Sequence, residues 1–195
     1  MCRFIESIRF EKGQYQLLEY HQKRVNSTFQ QFFPDTSPLK LRDVLPDLSH
    51  GESHKVRVVY GRKVYNISQA PYQMAPIASF QLVRADTVSY NFKFHDRSQM
   101  DRLKEASRAD EIIMVKNGLL TDASYANLAF FDGSRWFTPD TFLLNGVQRQ
   151  YLIDTGQITE KPIRPEDLQH FEKFCLINAM LQLEELMFTM DAISH

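Results

Sequence analysis

The feature that most constrains the fold is the run KVRVVY at residues 55–60, followed by Gly61, Arg62 and then VYNIS at 64–68. β-Branched and aromatic side chains crowd a helix but pack well on a pleated surface, so two such runs around a short polar break predict a hairpin. Two further strands belong with it. RFIESIRF at 3–10 alternates apolar and polar residues and runs into Glu11, Lys12 and Gly13, the opening of a turn, and ASFQLVRAD at 78–86 adds another strand. Between them Leu17, Leu18, Tyr20, Val25, Phe29, Phe32 and Phe33 fall mostly at helical spacing, and Pro34 stops the run. This helix, 17–33, is expected to expose His21, Lys23 and Arg24. Leu39, Leu41, Val44, Leu45 and Leu48 suggest a second short helix, interrupted by Pro46 and ended by SHGES at 49–53.

Near Ala85 to Tyr90 the pattern changes from strand-rich to mixed. The expected division is an N-terminal α/β domain, 1–86, and a C-terminal α/β domain, 87–195, joined without Gly or Pro at a stiff junction. Beyond it lie a helix at 98–108 and the apolar strand EIIMVK at 111–116, with Asn117-Gly118 as a tight turn. The strand NLAFF at 127–131 follows, with a turn at Asp132-Gly133. In LLNGVQRQYLIDTG, Gly146 precedes a short helix that Gly156 terminates. KFCLINAM reads as a buried strand and LQLEELMF as a partly amphipathic final element. The fold class is α/β (α+β).

Charge narrows the function classes. Lys and Arg number 23 against 24 Asp and Glu, a net charge of -1, so no overall basic field exists to hold nucleic acid or an anionic membrane. Any ligand is recognised locally, which fits a small-molecule substrate. With 7 glycines in the chain, a phosphate loop built from several of them is excluded, and an anion site has to use single ones. Cys2 and Cys175 form no Cys-x-x-Cys pair, so neither a disulfide framework nor a structural metal site is expected. The N-terminal MCRFIESIRF lacks the apolar centre of a signal peptide, and no stretch has the length of a membrane span. A soluble protein of the reducing cytoplasm is the expectation.

Four places carry candidate chemistry. Lys93, between Phe92 and Phe94 on a strand-like segment, has an apolar background that lowers an ammonium pKa and suits Schiff-base chemistry; the same alternation equally describes an outward-pointing surface lysine. Asp122 and Asn127 bracket a turn entering a strand, where a carboxylate could face a protonated ring nitrogen or act only as a turn residue. Gly146 lets backbone approach an anion, and the amides of Val147 and Gln148 at a helix start suit a phosphate; an ordinary helix start reads the same way. Arg24 shares a helical face with His21 and supplies a cation, on what could also be a solvated surface.

Taken together, these segments resemble the class IV aminotransferases, enzymes of pyridoxal 5'-phosphate (PLP) fold type IV. FIESIRFEKG is similar to the family's Phe-Glu-Thr strand, and YHQKRVNS to its His-x-x-Arg-Leu helix with Val25 for Leu. FKFHDR, ADEIIMVKNGLLTDASYANLAFF, WFTPDTFLLNGVQRQYL and CLINAM follow in the family's order. The resemblance implies a two-domain fold with PLP between the domains, shortened at the N-terminus relative to the family, and a homodimer. It makes Lys93 the catalytic lysine that binds PLP covalently and moves the substrate's α proton. Arg24 takes the phosphate-binding place, with Gly146, Val147 and Gln148 as the helix start that shares it, although Gln148 stands where many relatives have Thr. Asp122 falls where the family usually has Glu, the carboxylate that keeps the pyridine nitrogen protonated, with Asn127 beside it. Leu144 would pack on the ring, and Asn178 with Ala179 would close over the phosphate.

Within the family FKFHDRS and CLINAM look more like the lyase branch than the branched-chain transaminases, which have a Tyr where Ser98 stands here. The resemblance thus implies cleavage of 4-amino-4-deoxychorismate to 4-aminobenzoate and pyruvate, a step of folate synthesis. Amino transfer of branched-chain or D-amino-acid type, and PLP binding without turnover, remain as alternatives. Arg97, Arg57 and Arg62 are candidates for substrate carboxylates, because Arg offers two parallel donors. For Arg57 and Arg62 an ordinary place on a surface strand accounts for the sequence equally well. His95 is left outside the catalytic set.

Overall fold

The structure is a computed structural model that describes residues 2–48, 53–74 and 76–194. The chain forms two compact units. One runs up to Met74 and takes in Phe92–Asp96; the other takes the residues after Met74 up to Asn91, and everything from Arg97 onward.

The first unit is built on β1 (Phe4–Glu11), β2 (Gln14–Tyr15), α1 (Leu18–Phe32), α2 (Leu41–Val44), β3 (His54–Tyr60) and β4 (Val64–Pro71). Its sheet is antiparallel in the order β2-β1-β3-β4, with Phe4 opposite Tyr60 and Arg57 opposite both Ser7 and Ser68. The hairpin expected at 55–68 is β3–β4. Alternation along β1 sends Phe4, Glu6, Ile8 and Phe10 to one face, where all four are buried. That face packs with Val25, Phe29 and Phe33, around which the rings of Phe32, Tyr60 and Phe94 stack on Phe4. α1 matches the helix read from the sequence. α2 is much shorter than expected, because Leu45 precedes Pro46 and is already extended. Of the SHGES turn, only Ser53 lies within the described residues.

The second unit holds β5 (Phe80–Arg84), α3 (Ser98–Glu105), β6 (Glu111–Lys116), β7 (Leu119–Ala123), β8 (Asn127–Phe131), β9 (Trp136–Pro139), α4 (Val147–Asp154), β10 (Thr159–Lys161), β11 (Lys173–Ile177), β12 (Met187–Thr189) and β13 (Ile193–Ser194). These strands form two sheets, β13-β5-β6-β7 and β10-β9-β8-β11-β12. Asn117 and Gly118 both take positive φ in the β6–β7 hairpin, the conformation that Asn-Gly favours. The final LQLEELMF segment ends in β12, which pairs antiparallel with β11. Phe80, Phe174 and Phe188 form one aromatic cluster and Phe130 packs on Phe171.

The structure corrects two sequence readings of organisation. β5 pairs in parallel with β6 and so belongs with the second unit, which moves the division away from residue 86. Lys93 lies not on a strand but on an irregular segment that touches β1 through a single bridge, Phe4 to Phe94. None of the described helices is long and apolar enough to cross a membrane.

Candidate functional site

In the first unit the candidate residues gather on β1, α1 and the Lys93 segment. Glu6 is fully buried, and Arg24 reaches it from α1 with two parallel bonds, Nε to Oε1 at 2.9 Å and Nη2 to Oε2 at 2.5 Å. His21, one helical turn before Arg24, places Nδ1 2.5 Å from Glu6 Oε2. His21 is therefore not the exposed residue expected from the helix pattern but 0% exposed, and the Arg24 side chain is only 9% exposed. Lys23 alone of the three is exposed. The His21–Arg24 face turns inward because β1 offers it a carboxylate, and two buried polar heads need such a partner.

Burial alone would raise the Glu6 pKa, but the Arg24 charge and the hydrogen bonds from Arg24 and His21 outweigh it and hold the group at about 2. Burial likewise pushes the His21 pKa down, against the pull of Glu6, so His21 is a neutral imidazole that donates through Nδ1. Its Nε2 is buried without a hydrogen-bond partner among the described residues. Arg24 thus carries the ionic half of the triad.

Both shifts lower a folded-state pKa, so both contributions to stability fade on acidification. That of Glu6 is complete above pH 4.5, its unperturbed value, and is lost as pH falls towards 2; it amounts to about 3 kcal/mol. Loss at His21 begins below 6.5. Glu6→Gln, which leaves Arg24 buried without an anion, is expected to cost about 3–5 kcal/mol in urea denaturation at pH 7 and to flatten acid unfolding below pH 4.5. An acid limb identical to wild type would show that the triad does not control it.

Lys93 is half-buried, and its carbonyl accepts the Ile5 amide at 3.0 Å. The Phe4–Phe94 bridge sets Phe94 beside Phe4 in the core, and the Lys93 charge helps to hold the pKa of buried His21 down; Arg57, through its register with Ser7, lies on the other face of the sheet. Arg57 Nε is buried without a hydrogen-bond partner among the described residues. Arg62 is spent elsewhere: it lies over the Phe33 ring and donates to Thr36. His95 is exposed.

In the second unit the β7–β8 turn is flanked by Asp122, near the end of β7, and Asn127, at the start of β8. Both are 5% exposed, and Asn127 Nδ2 donates to Asp122 Oδ1 at 2.7 Å. The amides of Leu143 and Leu144 each donate to Asp122 Oδ2 at 2.9 Å. Burial pushes the Asp122 carboxyl up to about 6 despite these donors and the nearby Arg149. Leu144 is half-buried, and both its backbone groups are used, the carbonyl accepting Asn127 Nδ2 at 2.9 Å.

Gly146 caps α4 with φ -68° and ψ 147°, a conformation open to any residue, and no side chain among the described residues caps this helix. The first-turn amides of Val147 and Gln148 have no acceptor within the helix, as the anion reading requires. The reason for glycine differs from the one expected, however. The space its Cβ would take is filled by Asn127 Oδ1, not left open for an anion. Gln148 and Val147 are buried.

Arg97, expected at a substrate carboxylate, donates from Nη2 to the Ser124 carbonyl at 2.6 Å in the turn between Asp122 and Asn127. Asn178 closes its own turn, accepting from Met180 and Leu181 and donating to the Tyr125 carbonyl at 3.5 Å, with Ala179 half-buried beside it.

Three residues escaped the sequence reading. Glu6 could have been found as the one charge on the inward face of an alternating strand. Glu111, fully buried at the head of EIIMVK, accepts the Ser124 amide and hydroxyl and the Lys104 ammonium. Arg149 on α4 is buried against Glu160, the Pro139 carbonyl and the Phe142 ring. Neither Glu111 nor Arg149 gave a sequence signal, since partners distant in the chain hold each one.

The sequence profile of the family described as amino-transferase class IV matches residues 3–183. A curated relative from Haemophilus influenzae, described only as an uncharacterized protein, is 33% identical and is aligned over 92% of this chain and 98% of its own. Among solved structures, a proposed 4-amino-4-deoxychorismate lyase from Haemophilus somnus 129PT is 31% identical with a TM-score of 0.87, covering 94% of this chain and 98% of that one. A proposed amino-acid aminotransferase from Mesorhizobium loti shares the fold at 22% identity and a TM-score of 0.79, over 93% of this chain and 96% of its own.

Proposed function

The chain belongs to the class IV aminotransferase family, and on that premise we propose that it is a PLP-dependent 4-amino-4-deoxychorismate lyase, releasing 4-aminobenzoate and pyruvate. The observation that carries the cofactor reading is the buried Asp122 carboxylate. Three donors occupy three of its four lone-pair sites, one on Oδ1 and two on Oδ2, which leaves one site on Oδ1 for a protonated ring nitrogen. A carboxyl held up at about 6 by burial is under-compensated, and a pyridinium is the partner that relieves it. The residues therefore fit the group.

PLP, when bound, supplies an electron sink for the carbanion formed next to the substrate's nitrogen. In the first unit Lys93 would link to the cofactor and take the α proton and Arg24 would offer a cation for its phosphate; in the second unit the amides at the start of α4 would suit a phosphate and Leu144 a ring face. Glu6 fixes the plane of the Arg24 guanidinium, and Asp122 would keep the ring nitrogen protonated. Arg97 and Arg57 are the candidates for a substrate carboxylate. Loss of the substrate's enolpyruvyl group then makes its ring aromatic.

Likeness to the solved proposed lyase, at 31% identity and nearly end to end, supports the lyase over amino transfer. Ser98, exposed at the start of α3, supports it too, since the branched-chain transaminases resembled here carry Tyr at that place. A cytoplasmic homodimer is part of the same proposal. With PLP and 4-amino-4-deoxychorismate the protein is expected to form 4-aminobenzoate and pyruvate in equal amounts. Formation of neither, with glutamate made from 2-oxoglutarate and an amino donor, would instead establish an aminotransferase. PLP binding with neither product would establish a binding protein.

A further inference from the structure

We propose that Asn127 is a positioning residue rather than a cofactor ligand, that its carboxamide fixes both the aim and the ionised state of Asp122, and that position 146 is glycine in order to admit it. This rests on the reading of Asp122 as the carboxylate that faces the ring nitrogen.

The geometry leaves the Asn127 amide little else to do. Its Nδ2 lies 2.7 Å from Asp122 Oδ1 and 2.9 Å from the Leu144 carbonyl, two acceptors, so both N–H groups are spent inside the protein. The same Leu144 gives its amide to Asp122 Oδ2. A closed ring of bonds thus runs from Asp122 through Asn127 to Leu144 and back, and the carboxylate cannot rotate without breaking it. On its other side Asn127 Oδ1 sits where a Gly146 Cβ would be. Since the backbone at 146 suits any residue, space alone requires the glycine. The charged group facing Asp122 is Arg149 of α4, itself engaged by Glu160 of β10. Arg149 therefore supports the carboxylate only in part, and Asn127 supplies a donor in direct contact.

Removing that donor destabilises the ionised form of a buried acid, which raises its pKa. Losing a hydrogen bond to a charged acceptor corresponds to a shift of about one to two pH units, a 10- to 100-fold change in the ionisation constant. The test uses cofactor-free protein labelled with ¹³C at the aspartate carboxyls, the Asp122 resonance being the one absent from Asp122→Asn. Its titration midpoint is expected near 6 in wild type and about one to two pH units higher in Asn127→Ala. Gly146→Ala, which keeps the donor but crowds Oδ1, is expected to move it in the same direction.

An unchanged midpoint in folded Asn127→Ala overturns the proposal; should that variant fail to fold, an unchanged midpoint in Gly146→Ala does so. A shift in Asn127→Ala without one in Gly146→Ala overturns the account of the glycine. The absorbance of added PLP separates this inference from the reading beneath it. If Asp122→Asn leaves that spectrum unaltered while Asn127→Ala still shifts the midpoint, the ring-nitrogen role is lost and the positioning role stands.

Discussion

Lys93→Ala is expected to abolish the yellow colour of the PLP-loaded protein and to lower turnover by about 10⁴-fold or more, because one amine serves as covalent anchor and as acid and base. The fold is expected to survive. The contact between this segment and β1 runs through the Lys93 carbonyl and the Phe94 ring, neither of which the substitution touches. Circular dichroism and a cooperative thermal transition close to wild type, with colour and product both gone, are the expected pair of results. A variant that keeps its colour would move the anchoring role to another lysine.

Asp122→Asn is expected to lower turnover by about 10²- to 10³-fold, since a neutral amide no longer favours the protonated ring nitrogen as the electron sink forms. Its effect on stability has the opposite character. A carboxyl whose pKa is raised in the folded state, from 3.8 to about 6, stabilises the fold only while protonated; that contribution is complete below pH 3.8 and is lost as pH rises through about 6. Above that pH the ionised group costs about 3 kcal/mol relative to its protonated form. The amide removes this cost, although its own N–H₂ then meets Asn127 Nδ2, another donor, and one hydrogen bond is lost. Unfolding of cofactor-free protein should therefore show the variant faring better relative to wild type at pH 8 than at pH 4. A variant that fares worse at pH 8 than at pH 4 would mean that the buried carboxylate stabilises the fold instead. A residue that weakens the empty protein and serves the loaded one is what a stability–activity trade-off looks like.

Local chemistry made much of the fold legible. The β3–β4 hairpin, the Asn117-Gly118 turn, α1 up to Pro34 and α4 between Gly146 and Gly156 each follow from a short pattern with a physical cause. What the sequence concealed depends on pairing between distant segments. Parallel pairing of β5 with β6 decides which unit β5 joins, and nothing in ASFQLVRAD announces it. His21 reads as exposed because its neighbours on the helix are polar, yet Glu6 of β1 lies beneath it. Nothing in FKFHDRS announces that Arg97 also reaches the Ser124 carbonyl. Gly146 reads as a concession to phosphate, whereas a side chain from β8 occupies the space. The residues that resemble the family's catalytic set were visible; those that orient them, Glu6, Glu111 and Arg149, were not, because a buried charge looks like a surface charge until its partner is known.

The central claim, that Lys93 carries the cofactor in a PLP enzyme, is tested most directly by trapping. Protein treated with PLP and reduced with borohydride, then digested and analysed by mass spectrometry, is predicted to carry the pyridoxyl group on the peptide containing Lys93, with none in Lys93→Ala. A pyridoxyl group on a different lysine, or none on a protein that turns substrate over, would contradict it.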